Sequence, residues 1–150
     1  MNSNSSTRNT TYPLGHIETF KCITDSRGSL CVAQSDLLHE QFDIKRIFWI
    51  HGVPEGAVRG EHANRSCSEL LVAVRGSVKV WLTDGFSEKE ILLDNPREGL
   101  YIPPMVWCKL KDFTSDCVCL CLADQNYDET LYINQYEQFL NETSHGCRNL

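Results

Sequence analysis

The feature that most limits what this chain can fold into is a spacing. Short apolar runs recur along it with turn residues between them: His16 to Phe20, Leu30 to Gln34, Ile47 to Ile50, Glu69 to Val74, Val78 to Leu82, Glu90 to Leu93, Leu100 to Ile102 and Cys117 to Leu122. Runs this short suit strands, and their regular punctuation predicts an all-β sandwich or barrel. The clearest local piece is Ser77 to Leu82, which alternates as a half-buried strand does. Thr83-Asp-Gly85 then supplies hairpin chemistry leading into Glu90 to Leu93. Asp25-Ser-Arg-Gly28 reads as another turn, with Gly28 able to accept a positive φ, and Ser35-Asp-Leu-Leu38 as a short helical turn. Past Ala123 the period changes. Leu131, Gln135 and Phe139, and likewise Tyr132, Tyr136 and Leu140, fall at four-residue steps, with Asp128 and Glu129 in the first turn. This predicts one C-terminal helix packed outside the strands.

A length of 150 residues fits one domain. The first dozen residues offer too little apolar surface to offset ordering entropy, so the expected map is a disordered polar tail over 1–13 and a single domain over 14–150. No run is long and apolar enough to cross a bilayer, and the N-terminus lacks the apolar core of a signal peptide, which predicts a cytoplasmic protein without membrane contact. A formal net charge of -6 with no basic cluster argues against nucleic-acid binding. An anionic small ligand requires only that a few arginines converge.

The chain carries eight cysteines. Without an export signal they are expected to be free thiols. Cys117, Cys119 and Cys121 alternate with Val118, Leu120 and Leu122, so on a strand all three point to one face and line a tight interior. There is no Cys-x-x-Cys pair, which removes the usual zinc-ribbon spacing.

Two stretches carry the chemistry. Arg59-Gly-Glu-His-Ala-Asn64 runs on to Glu69 and Gly76, and Gly99-Leu-Tyr-Ile-Pro-Pro104 ends in Trp107-Cys108. Together they resemble the paired motifs of a cupin, which implies a jelly-roll barrel with His62 and Asn64 facing its cavity. Asn64 stands where the resemblance expects a second histidine, and Cys108 where it expects a third. His62, Glu69 and Cys108 are ligand types zinc accepts, but iron, manganese or zinc in this setting want two or three imidazoles. The expectation is therefore no metal and no cofactor, with Cys108 a small wall residue and Glu69 a hydrogen-bond anchor.

A closer resemblance rests on order and spacing: Asp25-Ser-Arg-Gly-Ser-Leu30, Phe42-Asp-Ile-Lys-Arg46, the two cupin stretches, Gly76-Ser-Val-Lys-Val80, Asp84-Gly85, Asp112-Phe-Thr-Ser-Asp116 and Tyr127-Asp-Glu-Thr-Leu-Tyr-Ile133. From Phe20 to Leu140 the chain is similar to the sugar 3,4-ketoisomerase (WxcM-like) branch of the cupins. The resemblance implies a metal-independent homodimer acting on a thymidine-diphosphate (dTDP) 4-keto-6-deoxyhexose in bacterial surface-polysaccharide (lipopolysaccharide) biosynthesis. Moving a ketone from C4 to C3 needs a base near neutral pH, a role imidazole fits, and a stabiliser for the enediolate. His62, Asn64 and Arg59 are the expected catalytic set. Arg27, Arg46, Arg59, Glu69, Trp107 and Cys108 are the expected substrate contacts, arginine being suited to a diphosphate. The family pattern also has a tyrosine in the strand after Lys45-Arg46, where this chain has Phe48-Trp49. Two readings stay open: His62 carries the proton transfers with Asn64 and Arg59 holding the enediolate oxygens, or the domain is a catalytically silent nucleotide-sugar binding cupin.

Overall fold

The computed structural model describes residues 14–38 and 42–146. The tail assigned to 1–13 lies outside them. The strands are β1 (His16–Thr19), β2 (Lys21–Asp25), β3 (Gly28–Val32), β4 (Arg46–His51), β5 (Arg59–Asn64), β6 (Glu69–Arg75), β7 (Val78–Thr83), β8 (Glu88–Leu93), β9 (Glu98–Ile102), β10 (Trp107–Lys111), β11 (Val118–Ala123) and β12 (Tyr132–Ile133). A single-turn 3-10 helix spans Ser35–Leu37, another spans Glu129–Leu131, and helix α1 covers Tyr136–Gly146.

Two five-stranded sheets, ordered β1-β9-β6-β11-β4 and β12-β5-β10-β7-β8, face each other as a jelly roll. Their inner faces interdigitate: Leu71, Ala73, Leu100, Cys119 and Cys121 from the first meet Val78, Val80, Leu82, Cys108 and Leu110 from the second. Cys117, Cys119 and Cys121 join this core as the alternation predicted. β1 pairs with β9 of its own chain. β6 is buried on both faces, because Leu70 and Val72 turn outward beneath a cover that includes Phe20 and Phe42 and the separate β2–β3 hairpin. The Asp84 turn is held by its carboxylate, which accepts the amide hydrogens of Phe86 and Ser87 at 2.9 and 2.8 Å.

Two sequence expectations are corrected. The helical period placed the C-terminal helix from Asp128 onward, yet α1 begins at Tyr136. Before it, Asp128 caps the 3-10 turn by accepting the Thr130 amide at 3.0 Å, and Tyr132 and Ile133 pair with Asn64 and Ala63 on β5. The free edge of β5 offers an aromatic and a β-branched residue backbone partners that outweigh the local period. Beyond that, α1 does pack outside the barrel, with Phe139 fully buried against Trp107, Ala63 and Ile133. The cysteines are not all free either. Cys22 and Cys31 are direct partners across β2–β3, with Cα atoms 4.0 Å apart, and form a disulfide of 2.04 Å. Only the hairpin register brings residues nine apart together, and no short cysteine motif announces it.

One irregularity positions the site. Between β5 and β10, Cys108 pairs with His62 but Lys109 pairs with Gly60, so Glu61 is an extra residue on β5. Gly60 and Glu61 take φ of 80° and 58°. A Cβ at Gly60 would lie 3.0 Å from the Cys108 carbonyl oxygen and 3.3 Å from Leu110 Cδ1. This β-bulge resets side-chain parity: Arg59 and His62, three apart and on opposite faces of a regular strand, both turn toward the barrel interior. Gly60→Ala should therefore cost more than about 1 kcal/mol. Urea unfolding should show it to be costlier than Gly52→Ala, where φ is 64° but nothing lies within 4 Å of the added carbon. Equal costs would mean that the close approach to Cys108 does not matter.

Candidate functional site

Inside the barrel a pocket of ≈ 380 Å³ opens between the sheets. β5 contributes Arg59, Gly60 and His62, and β10 contributes Cys108 and Leu110. Across from them stand Phe48 and Ile50 of β4, Glu69 and Leu71 of β6, and Cys121 of β11. β4 alternates so that Phe48 and Ile50 turn inward while Trp49, 61% exposed, stands at the rim.

His62 is half-buried, and its Nε2 is buried with no hydrogen-bond partner. A buried polar atom left without a partner costs about 1–3 kcal/mol, so it is retained where a ligand completes it. The ring is steadied by an edge-to-face contact with Tyr132 at 5.0 Å. Asn64 does not line the pocket. It is buried behind it and donates from Nδ2 to Glu69 Oε1 at 3.1 Å, so the residue that replaces an expected imidazole acts by holding the carboxylate. Glu69, itself only 6% exposed, presents the rest of that carboxylate to the pocket.

Cys108 forms the wall beside His62. Burial first, and the nearby Glu69 charge second, push its thiol well above the ordinary range. The Cys121 thiol is likewise raised, chiefly by its hydrogen bond with Cys119 and then by burial. Both therefore stay neutral at physiological pH. Among the described residues no group of three His, Cys, Asp or Glu stands close enough to hold a metal ion.

Arg46 sits at the start of β4 and donates from Nη2 to the Tyr132 hydroxyl at 3.1 Å. Its guanidinium lies over the Phe48 ring at 5.2 Å and the Tyr127 ring at 5.5 Å, and its Nε is buried without a partner. Burial raises the Tyr132 phenol above its ordinary range, opposed by the Arg46 hydrogen bond. Tyr132 was hidden in the sequence inside a helical period; its pairing with Asn64 on β5 brings it beside His62.

Two expected substrate contacts lie elsewhere. Trp107 is buried on the far side of its sheet, its ring against Tyr136 at 5.1 Å and Phe139 at 5.7 Å, where it anchors α1. It neighbours Cys108 in sequence, and strand alternation sends the two to opposite faces. Arg27 sits at the tip of the β2–β3 hairpin with its side chain 88% exposed, bonded to Asp25 at 2.5 Å and outside the pocket of its own chain.

Residues 15–144 match the family model described as FdtA: WxcM-like, C-terminal. The chain is 47% identical over 120 residues to a TDP-4-oxo-6-deoxy-alpha-D-glucose-3,4-oxoisomerase of Aneurinibacillus thermoaerophilus, covering 80% of this chain and 86% of that one. It is also similar, at 37% identity and a TM-score of 0.84, to a histidine-to-asparagine mutant of the 3,4-ketoisomerase QdtA from Thermoanaerobacterium thermosaccharolyticum, solved in complex with TDP-4-keto-6-deoxyglucose. That match covers 89% of this chain and 96% of the other. The Campylobacter jejuni TDP-fucose-3,4-ketoisomerase WlaRA matches at 36% identity and a TM-score of 0.81, covering 86% of this chain and 95% of that one. With the barrel, the bulged histidine strand and this similarity over nearly its whole length, the chain belongs to the WxcM-like FdtA family of cupin-fold proteins.

Proposed function

We propose that this protein is a sugar-nucleotide 3,4-ketoisomerase, moving the ketone between C4 and C3 of a TDP-linked 4-keto-6-deoxyhexose with no metal or cofactor. The observation that carries this reading is His62: an imidazole whose Nε2 is buried and unpartnered in a pocket of sugar size. His62 removes the C3 proton, which is acidic because the neighbouring C4 carbonyl takes up the electron pair as an enediolate. Arg59, the arginine among the pocket-lining residues, counters negative charge from the enediolate and from the diphosphate at the mouth. Glu69, held by Asn64, accepts a hydrogen bond from a sugar hydroxyl and fixes the ring's orientation. Cys108 is a neutral wall, and Arg46 with Tyr132 braces the mouth beside His62.

The homodimer belongs to the same proposal. Trp49 and Ile47, on edge strand β4, are 61% and 55% exposed, and Ile23 and Leu30 on the hairpin are 56% and 59% exposed. That much apolar surface on one strand and a neighbouring hairpin suits burial against a second copy. In such a pair Arg27, at the hairpin tip, reaches substrate in the partner's pocket and not in its own. We place this single-domain enzyme in the bacterial cytoplasm, supplying deoxysugars for surface polysaccharide. Thiol exchange there acts on the Cys22–Cys31 pair.

In deuterated water with TDP-4-keto-6-deoxyglucose, deuterium should enter the sugar at C3 and C4. His62→Asn should slow this by at least about 100-fold, with TDP binding retained by calorimetry. A parent protein that binds TDP and exchanges nothing would instead be a silent binding cupin. Arg59→Lys should weaken TDP binding despite its retained charge, because lysine cannot form the bidentate contact; unchanged affinity would move the diphosphate elsewhere. Chelator treatment should leave the rate unchanged. Sedimentation should give a dimer at micromolar concentration, shifted toward monomer by Trp49→Glu, and a monomeric parent would remove the proposed role of Arg27.

A further inference from the structure

The hairpin β2–β3 pairs with neither five-stranded sheet, and its two faces differ. Ile23 and Leu30 are register partners on the outward face, and both are exposed. The pairs Cys22–Cys31 and Thr24–Ser29 share the other face, since residues two apart on a strand point the same way. There Cys22 and Cys31, half-buried, pack against the apolar cluster that holds Phe20, Val72 and Leu122. A second cavity, of ≈ 330 Å³, opens beside the disulfide and is within the size range of ligand clefts. Val72, Val74, Leu120 and Pro96 give it apolar walls, and Cys31 lines it while Cys22 does not. Among the described residues Arg97 is the charged side chain that lines it. Arg97 is held in place: its carbonyl accepts the Phe20 amide at 2.9 Å, its own amide donates to Asn95 Oδ1 at 3.0 Å, and its Nη2 donates to Thr24 Oγ1 and Ser29 Oγ at 2.8 and 2.9 Å. Those partners are neutral. Among the described residues no carboxylate pairs with this guanidinium, so a fixed cation without a counter-charge shares a cavity with one sulfur of the disulfide. The five free cysteines among the described residues are all buried.

We propose that this cavity binds a small acidic thiol, which opens the Cys22–Cys31 disulfide by attack on Cys31. The inference goes beyond the isomerase reading and does not depend on it. The incoming thiolate forms a bond to Cys31 Sγ as the Sγ–Sγ bond breaks. The electron pair leaves on Cys22 Sγ, which takes a proton from water. A second thiolate then attacks the sulfur of the first in that mixed disulfide, releasing the disulfide of the small thiol and the Cys31 thiolate, which is protonated in turn. Two small thiols are oxidised and one protein disulfide is reduced. Arg97 attracts the acid group of the thiol and favours thiolate character at Cys31. A hairpin with no third strand is marginal without its cross-link, so opening the bond loosens the segment that carries Arg27 at its tip.

The probes are glutathione and its disulfide, which are acidic, with hydroxyethyl disulfide as the uncharged control. Cys147, outside the described residues, is replaced by Cys147→Ser throughout. Cys22→Ser then leaves Cys31 as a thiol, and Cys31→Ser leaves Cys22. Under native conditions, followed by intact mass, Cys22→Ser should take up one glutathione from glutathione disulfide at least about tenfold faster than Cys31→Ser. Equal rates, or faster labelling of Cys22, would overturn the assignment to this cavity. Adding Arg97→Gln to Cys22→Ser should slow labelling by glutathione disulfide relative to hydroxyethyl disulfide by about threefold, the modest size that screening leaves to an exposed charge. Because a general loosening of the hairpin moves both rates together, an unchanged ratio would overturn the role of Arg97 as the anion site. With both hairpin cysteines present, millimolar glutathione should open the disulfide through a mixed disulfide located on Cys31 by peptide mapping, and a bond that resists it in the folded protein would overturn the proposal. Hairpin amides should exchange hydrogen at least about tenfold faster once the bond is open; equal rates would overturn its role in ordering the hairpin.

Discussion

The bulge at Gly60-Glu61 is the constraint on which the site depends. A regular β5 would face His62 into the barrel and turn Arg59 away from it, because side chains three apart on a strand lie on opposite faces. One extra residue reverses that parity and puts the cation and the imidazole on the same side of the same strand. The cost is two consecutive residues with left-handed φ, tolerated at Gly60 for want of a Cβ and at Glu61 by the local kink. The close approach of the Cys108 carbonyl to Gly60 shows why the motif requires glycine there. The same contact ties β5 to the β10 strand that supplies the neighbouring wall.

Polar groups are spent unevenly around this pocket. Asn64 and Glu69 satisfy each other, and Arg46 is engaged with Tyr132 and two aromatic rings, yet His62 Nε2 and Arg46 Nε are left buried without partners. A fold selected only for stability would satisfy or remove them, since nearly all buried polar atoms in proteins are paired. The surrounding core is ordinary by contrast, with Leu71, Leu82, Leu100 and Val80 essentially inaccessible. Among the described residues these unmet side-chain hydrogen bonds therefore fall on β4 and β5, where a ligand can offset them.

The fold was largely legible because its signal was redundant. Eight apolar runs carried the same message, and an error of a residue or two at any strand end changed nothing about the layers. The site was legible where a motif carried its own geometry: His62, Glu69, Cys108 and Arg59 all line the pocket. It was not legible where the third dimension decided. Trp107 and Cys108 are adjacent, and only strand parity sends one to the helix and the other to the cavity. Asn64 reads as a replaced ligand, but its contact is a carboxylate five residues on, across a turn. Tyr132 satisfied a helical period that the free edge of β5 overrode. Cys22 and Cys31 became partners through hairpin register alone.

The three departures from the family pattern have one physical effect in common. Asparagine at 64 and cysteine at 108, where the resemblance expects histidines, and the pair Phe48-Trp49, where it expects a tyrosine, each remove a group able to exchange a proton under ordinary conditions. Asparagine does not titrate, the Cys108 thiol is held neutral by burial and by Glu69, and phenylalanine has no exchangeable proton. What remains in the pocket lining is one imidazole, on β5, and one carboxylate, Glu69 on β6, among mostly apolar side chains. Such a pocket has less capacity to accept or donate protons, and any proton transfer falls to the few groups that reach a bound ligand. With so few titratable groups left, their placement decides what the pocket can do, and that placement is set in part by the same bulged strand that puts Arg59 beside His62.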